Sequence, residues 1–102
     1  MSIKKLEYAT VDKIKSLPWQ AAMDYAASLG EGWRLPTVKE LGEVGKIKDI
    51  KDIPDDYYWS SSTYVIITDY AWVVDLWGGD ANYGDKTDSY YAWPVREEEG
   101  GK

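Results

Sequence analysis

The chain has 102 residues, 44% hydrophobic and 29% charged, values that suit one compact domain with a modest core and exclude a multidomain enzyme. It contains no Cys and no His, so disulfides, Cys or His zinc sites, haem ligation by those residues, cysteine proteases and Ser-His-Asp triads are excluded within it. Its net charge of −6 hides an asymmetry, +2 over residues 1–51 and −8 over residues 52–102, so the second half repels nucleic acid and anionic membrane surfaces.

No apolar run approaches the ~18 residues of a membrane span. Met1–Lys5 leads into no apolar segment, so the chain is expected to insert in no membrane and, without a signal peptide, to be cytoplasmic as given.

Leu6 to Ile14 reads as a first strand, imperfectly alternating. From Ser16 the period becomes helical, with Ser16 as cap, Pro18 in the first turn, and Trp19, Ala22, Met23, Ala26 and Leu29 on one face until Gly30 ends the helix. Leu35 before Pro36 keeps the Gly32–Thr37 link extended. Thr37 with Glu40 is a capping box for a second short helix carrying Val38, Leu41 and Val44. Residues 46–56 alternate charge with Ile47, Ile50 and Ile53 and read as a connecting loop that tucks its isoleucines inward.

Beyond Tyr57 the pattern favours strands. Tyr58–Ser61 and Tyr70–Trp77 are strand-like, the latter with Trp72, Val74 and Leu76 on one face and Ala71, Val73, Asp75 and Trp77 on the other. Gly78-Gly79-Asp80 turns the chain, residues 80–89 read as a polar loop, and Tyr90–Arg96 is a last strand in which Pro94 marks an edge or an end. One domain over 1–96 and a disordered acidic, Gly-containing tail over 97–102 are expected. Helices followed by a run of strands imply an α+β domain.

Six Trp and nine Tyr stand against no Phe, and eleven of these fifteen aromatics fall between Tyr57 and Trp93. Such side chains combine a large apolar face with a polar handle and suit half-buried positions and recognition surfaces alike.

Three segments resemble one family: Gly32-Trp33-Arg34-Leu35-Pro36-Thr37 with Glu40-Leu41, then Tyr58-Trp59-Ser60-Ser61, then Ala71-Trp72 followed by Pro94-Val95-Arg96. It is the C-type-lectin-fold domain typified by the C-terminal domain of the Legionella collagen-like adhesin. The resemblance implies two helices packed on a small twisted antiparallel sheet, with long loops presenting a ligand-binding surface. Trp93 stands where the family often has Arg before the terminal Pro-Val-Arg, which is expected to alter the exposed surface. Trp33, Trp59 and Trp72 are expected in the core, and Arg34 and Glu40 are expected to pair and pin the Pro36 link.

Within this family the chain is similar to the variable proteins of diversity-generating retroelements, in which adenines of a repeat encoding the C-terminal segment are randomised. Adenine-rich Asn codons yield Tyr, Asp, Ser, Thr, Val, Ile, Gly or Ala, the types that fill residues 64–69, Val73, Asp75, Asp80 and residues 82–85; Trp77 needs another template codon. The resemblance thus implies a recognition surface of Tyr64, Ile66, Val73, Asp75, Trp77, Asp80, Asn82, Tyr83, Asp85, Thr87 and Asp88 for an unspecified protein or glycan. From the residues themselves, Tyr64-Val65-Ile66-Ile67 reads equally as a buried strand.

Two other classes compete. Catalysis by Asp55-Asp56 or by Asp85 with Asp88 lacks any feature that raises a carboxylate pKa, so no enzyme and no cofactor are expected. A calcium-dependent lectin has a conceivable ligand set in Asp80, Asn82, Asp85 and Asp88, but the Glu-Pro-Asn and Gln-Pro-Asp strings of sugar-binding lectins are absent, and metal-free binding is the expectation.

Overall fold

A computed structural model describes residues 5–44, 53–54, 56–76 and 78–98. The described residues open with strand β1 (Lys5–Tyr8), a 3-10 turn (Val11–Lys13) and strand β2 (Lys15–Pro18), so of the strand expected over residues 6–14 only 6–8 are strand, and β2 lies where the helix was expected to begin. Helix α1 (Trp19–Ser28) begins directly after Pro18, which occupies the cap position, and Ser16 lies in β2 where it pairs with Tyr91. Leu29 closes the helix, and Gly30 takes φ 137°, a backbone region that side-chain-bearing residues rarely adopt.

Helix α2 (Val38–Val44) starts on the expected reciprocal box: Thr37 Oγ1 accepts the Glu40 N–H at 3.1 Å while Glu40 Oε1 accepts the Thr37 N–H at 2.8 Å. Of the expected loop over residues 46–56, Ile53 packs half-buried beside Leu41 and Tyr58, whereas Ile47 and Ile50 lie outside the described residues.

Strands β3 (Tyr57–Thr63), β4 (Tyr70–Asp75), β5 (Ala81–Asp85) and β6 (Ser89–Ala92) join β2 in a five-stranded sheet of order β2-β6-β3-β4-β5. β7 (Val95–Glu98) returns to pair antiparallel with β1 in a separate two-stranded sheet. The fold is therefore α+β, but the main sheet is mixed: β6 runs antiparallel to β2 and parallel to β3.

Two further expectations change. The stretch expected as a polar loop contains β5, whose Ala-Asn-Tyr-Gly-Asp sequence has little intrinsic strand preference and is held by pairing with β4. The expected last strand breaks at Trp93-Pro94 into β6 and β7, and Glu97 and Glu98, assigned to the tail, pair with Leu6 and Lys5. Residues 99–102 lie outside the described residues.

Both faces of the main sheet carry a core. On one, Ala22 and Ala26 of α1, fully buried one turn apart, let the helix approach Trp59, Ala71, Val73 and Ala92 closely. Gly84 belongs to this face, where an added Cβ would stand 2.6 Å from Tyr90 Cε2. On the other, Leu41 of α2 packs with Tyr58, Val74, Leu76, Trp93 and Ala9.

Three indole donors find carbonyls: Trp59 Nε1 donates to Leu17 O at 2.7 Å, Trp93 Nε1 to Ala9 O at 2.7 Å, and Trp19 Nε1 to Ser60 O at 2.9 Å. The tryptophan assignments thus divide. Trp59 is buried as expected; Trp33 and Trp72 are only half-buried; Trp93, expected to change the exposed surface, is 2% exposed and joins the core. Tertiary packing at the β6–β7 corner decides this, since Pro94 ends the pairing of β6 and turns the ring inward against Tyr8 and Tyr58.

Candidate functional site

The register of β4 and β5 sorts the aromatic residues. Trp72 lies directly opposite Tyr83, and Tyr70 opposite Asp85, so all four share the sheet face opposite α1. Val74, on the same face, is covered by α2 and Trp93, whereas Trp72 and Tyr70 stay half-buried and Tyr83 is 47% exposed.

The hairpin between β3 and β4 completes the cluster. Tyr64 N–H donates to Tyr70 O at 2.8 Å and Tyr70 N–H to Ile67 O at 3.0 Å, which closes the loop and carries the Tyr64 ring over the sheet. There it stacks on Tyr83 with centroids 4.7 Å apart and planes 17° from parallel, and meets Trp72 edge-on at 5.1 Å. Tyr70 lies against Tyr83 at 5.5 Å. At the loop tip Val65 and Ile66 are 84% and 76% exposed, so the segment that also read as a buried strand projects from the domain.

The acidic residues flank this patch on turns. Asp85 Oδ1 accepts both the Thr87 N–H at 2.9 Å and the Thr87 hydroxyl at 2.8 Å, and these bonds hold its carboxyl below the usual carboxylate range. Asp88 N–H donates to Asp85 O, fixing the turn into β6. At the other end of β5, Gly79 N–H donates to Asp75 O at 2.7 Å and Asp75 N–H to Asp80 O at 2.9 Å, closing the β4–β5 turn. Lys86 is turned inward, its amine 4.3 Å from the Trp19 ring centroid and 3.2 Å from Thr63 Oγ1.

The expected recognition residues are thus only partly brought together. Tyr64 and Tyr83 are in contact, Ile66 is exposed at the loop tip, Asp80, Thr87 and Asp88 are exposed on the flanking turns, Asn82 is exposed on the opposite face of β5, and Asp85 is half-buried in its turn. Val73 is a correction: it is 2% exposed and packs under α1 with Trp59, because α1 covers this face of β4. Asp75 shares the sheet face of Val73, opposite the aromatic cluster, and pairs with Tyr57. Trp77 lies outside the described residues. Trp72, Tyr70, Val65 and Ile67 were not among the expected residues, yet the alternation that places Trp72 beside Tyr70 was visible in the sequence.

The conceivable calcium set does not converge. Asn82 and Asp85 alternate to opposite faces of β5, and Asp85 is engaged with Thr87. Among the described residues no three acidic side chains gather as a metal site, and no helix is long and apolar enough to cross a membrane.

A separate open concavity of about 290 Å³ lies between β1 and the Trp33 loop, lined by Glu7, Tyr8, Lys13 and Trp33 among others. Its wall is held by structural contacts, with Arg96 Nε donating to Glu7 at 3.0 Å and the guanidinium lying 4.9 Å from the Trp33 ring centroid.

No curated protein matches the chain. The family model of the Lcl C-terminal domain matches residues 4–96, which takes in both helices, the five-stranded sheet, β1 and the first half of β7. Lcl C-terminal domains are adhesin-like, consistent with a recognition or binding role, and the chain belongs to this family.

Proposed function

We propose that this chain is a non-catalytic recognition domain whose ligand-binding surface is the aromatic cluster of Tyr64, Tyr70, Trp72 and Tyr83 with the projecting Val65–Ile67 tip. The observation that carries the reading is the Tyr64–Tyr83 stack on an open sheet face, where two rigid rings are pre-positioned on elements pinned by backbone hydrogen bonds. A frame stabilised by its two cores leaves these side chains free to meet a ligand.

In its finer form, the scaffold is C-type-lectin-like and the surface is that of a variable protein of a diversity-generating retroelement. Supporting this are the adenine-derived residue types at exposed positions 65–68 and 80–83 and at the half-buried Tyr64. Val73 would be a restrained position, since only side chains of similar size fit beneath α1. The test is the surrounding DNA: a neighbouring near-copy of the segment for residues 64–88, differing at adenines and adjoining a reverse transcriptase gene, is expected. A locus with neither contradicts the diversification, while loss of ligand binding in Tyr64→Ala with Tyr83→Ala tests the surface itself.

A further inference from the structure

We infer that the partner of this surface is an extended, cationic segment of another polypeptide that adds as a strand to the free edge of β5. The inference rests on the recognition reading and goes beyond it by naming the partner's chemistry and its mode of docking.

β5 is the last strand of the five, and Ala81, Asn82 and Tyr83 are all exposed. The bonds from Asp75 N–H to Asp80 O and from Lys86 N–H to Asp69 O mark the residue pairs that face each other through hydrogen bonds. With Val73 opposite Asn82 and Ala71 opposite Gly84, alternation turns the backbone groups of Ala81, Tyr83 and Asp85 away from β4. Asn82 Oδ1 already accepts the Tyr83 N–H and Asp88 N–H occupies the Asp85 carbonyl, which, among the described residues, leaves the Ala81 groups, the Tyr83 carbonyl and the Asp85 N–H directed at an incoming strand. The strand contains neither Lys nor Pro, the residues that blunt sheet edges.

Side-chain chemistry agrees with a polypeptide. Val65, Ile66 and Ile67, exposed by 84%, 76% and 47%, offer β-branched apolar surface with no polar group to meet a sugar hydroxyl, but suited to aliphatic side chains. Charge selects the partner's sign. Asp69, Asp80 and Asp88 are exposed around the patch and Asp85 is half-exposed, while Lys86 is directed at Trp19 and Thr63, so Arg or Lys is favoured and can also stack on the Tyr83 ring. A second copy meeting this edge in parallel register would set Asp80, Asp85 and Asp88 against their own counterparts, which disfavours that pairing.

The test uses the intact domain and dye-labelled peptides of about ten residues alternating Arg with Val or Ile. Fluorescence anisotropy should show binding that weakens by about tenfold or more between roughly 50 and 300 mM salt, and by about tenfold or more when alternate peptide amides facing β5 are N-methylated, which leaves charge unchanged. Ala81→Pro removes an outward N–H without touching the β4 ladder and should weaken binding similarly, with an unchanged melting temperature as its folding control. Equal binding of the N-methylated peptide overturns strand addition. Tighter binding of the Glu-for-Arg peptide, of heparin fragments or of a neutral oligosaccharide, lost in Tyr83→Ala, overturns the partner class while leaving the recognition surface standing. Peptide binding indifferent to both Tyr83→Ala and Ile66→Asp would overturn the surface as well, and a concentration-dependent dimer lost in Ala81→Pro would assign the edge to a second copy.

Discussion

Arg34 and Glu40 face each other through two parallel hydrogen bonds, at 2.7 and 2.9 Å, and the same Glu40 carboxylate caps the first turn of α2 by accepting the Thr37 N–H. Arg34 also shares a two-way backbone bridge with Val95, so one residue ties the helix start, through its side chain, to the returning C-terminal strand, through its backbone. The Arg34 hydrogen bond, assisted by the Thr37 donors, lowers the Glu40 pKa against the opposing effect of burial.

The pH dependence follows from the direction of that shift. A carboxylate whose folded pKa is depressed contributes stability that is fully present above its unfolded value of about 4.3 and is lost as pH falls through the folded value. Melting temperature should therefore decline on acidification below about pH 4.5, and Glu40→Gln should abolish this part of the decline. At neutral pH the same substitution removes the cap acceptor's charge and should cost ~1 kcal/mol, or ~4–8 °C. An unchanged acid limb in Glu40→Gln would show that other carboxylates dominate it.

The tryptophans should rank by burial. Trp59→Ala empties a fully buried site and leaves the Leu17 carbonyl without its donor, so a loss of ~3–5 kcal/mol is expected. Trp33→Ala, at a half-buried ring that shields Gly30 and Arg96, should cost less. Urea denaturation of the two variants checks the order, and equal losses would contradict it.

Gly84 is a packing glycine. Gly84→Ala would press a methyl group against the Tyr90 ring and should destabilise by ~1–3 kcal/mol, whereas in a Tyr90→Ala background the added methyl should cost little. The double-mutant cycle reads this directly; additive losses would place the strain elsewhere.

Features fixed by neighbours in sequence were legible. The Thr37–Glu40 box, the buried Ala22–Ala26 stripe and the Gly30 stop all follow from local chemistry, and each appears in the structure. Features fixed by distant partners were not. β5 exists because β4 templates it, and Val73 is buried although Asp75, two residues on, is half-exposed, because α1 happens to cover one and not the other. The Tyr64–Tyr83 stack spans a hairpin and a strand edge, a juxtaposition that neither residue's surroundings in sequence specify.

Exposed residues of the binding surface should be separable from folding. Ile66→Asp or Val65→Ser should change stability by no more than ~0.5 kcal/mol, since neither side chain is packed, while weakening ligand binding. Thermal melts alongside binding isotherms test it, and a large loss of stability in either variant would mean that the tip is packed.

The most direct test of a rigid frame carrying a free recognition surface is a pair of libraries sorted for folding alone. One randomises Ile66, Asp80, Asn82, Tyr83, Thr87 and Asp88, all exposed; the other randomises Val73, Trp59 and Ala26, all buried. Most clones of the first should fold with melting temperatures near the parent's, and few of the second should fold at all. If the first library collapsed like the second, those side chains would be holding the domain together, and the surface assigned to recognition would be part of the scaffold.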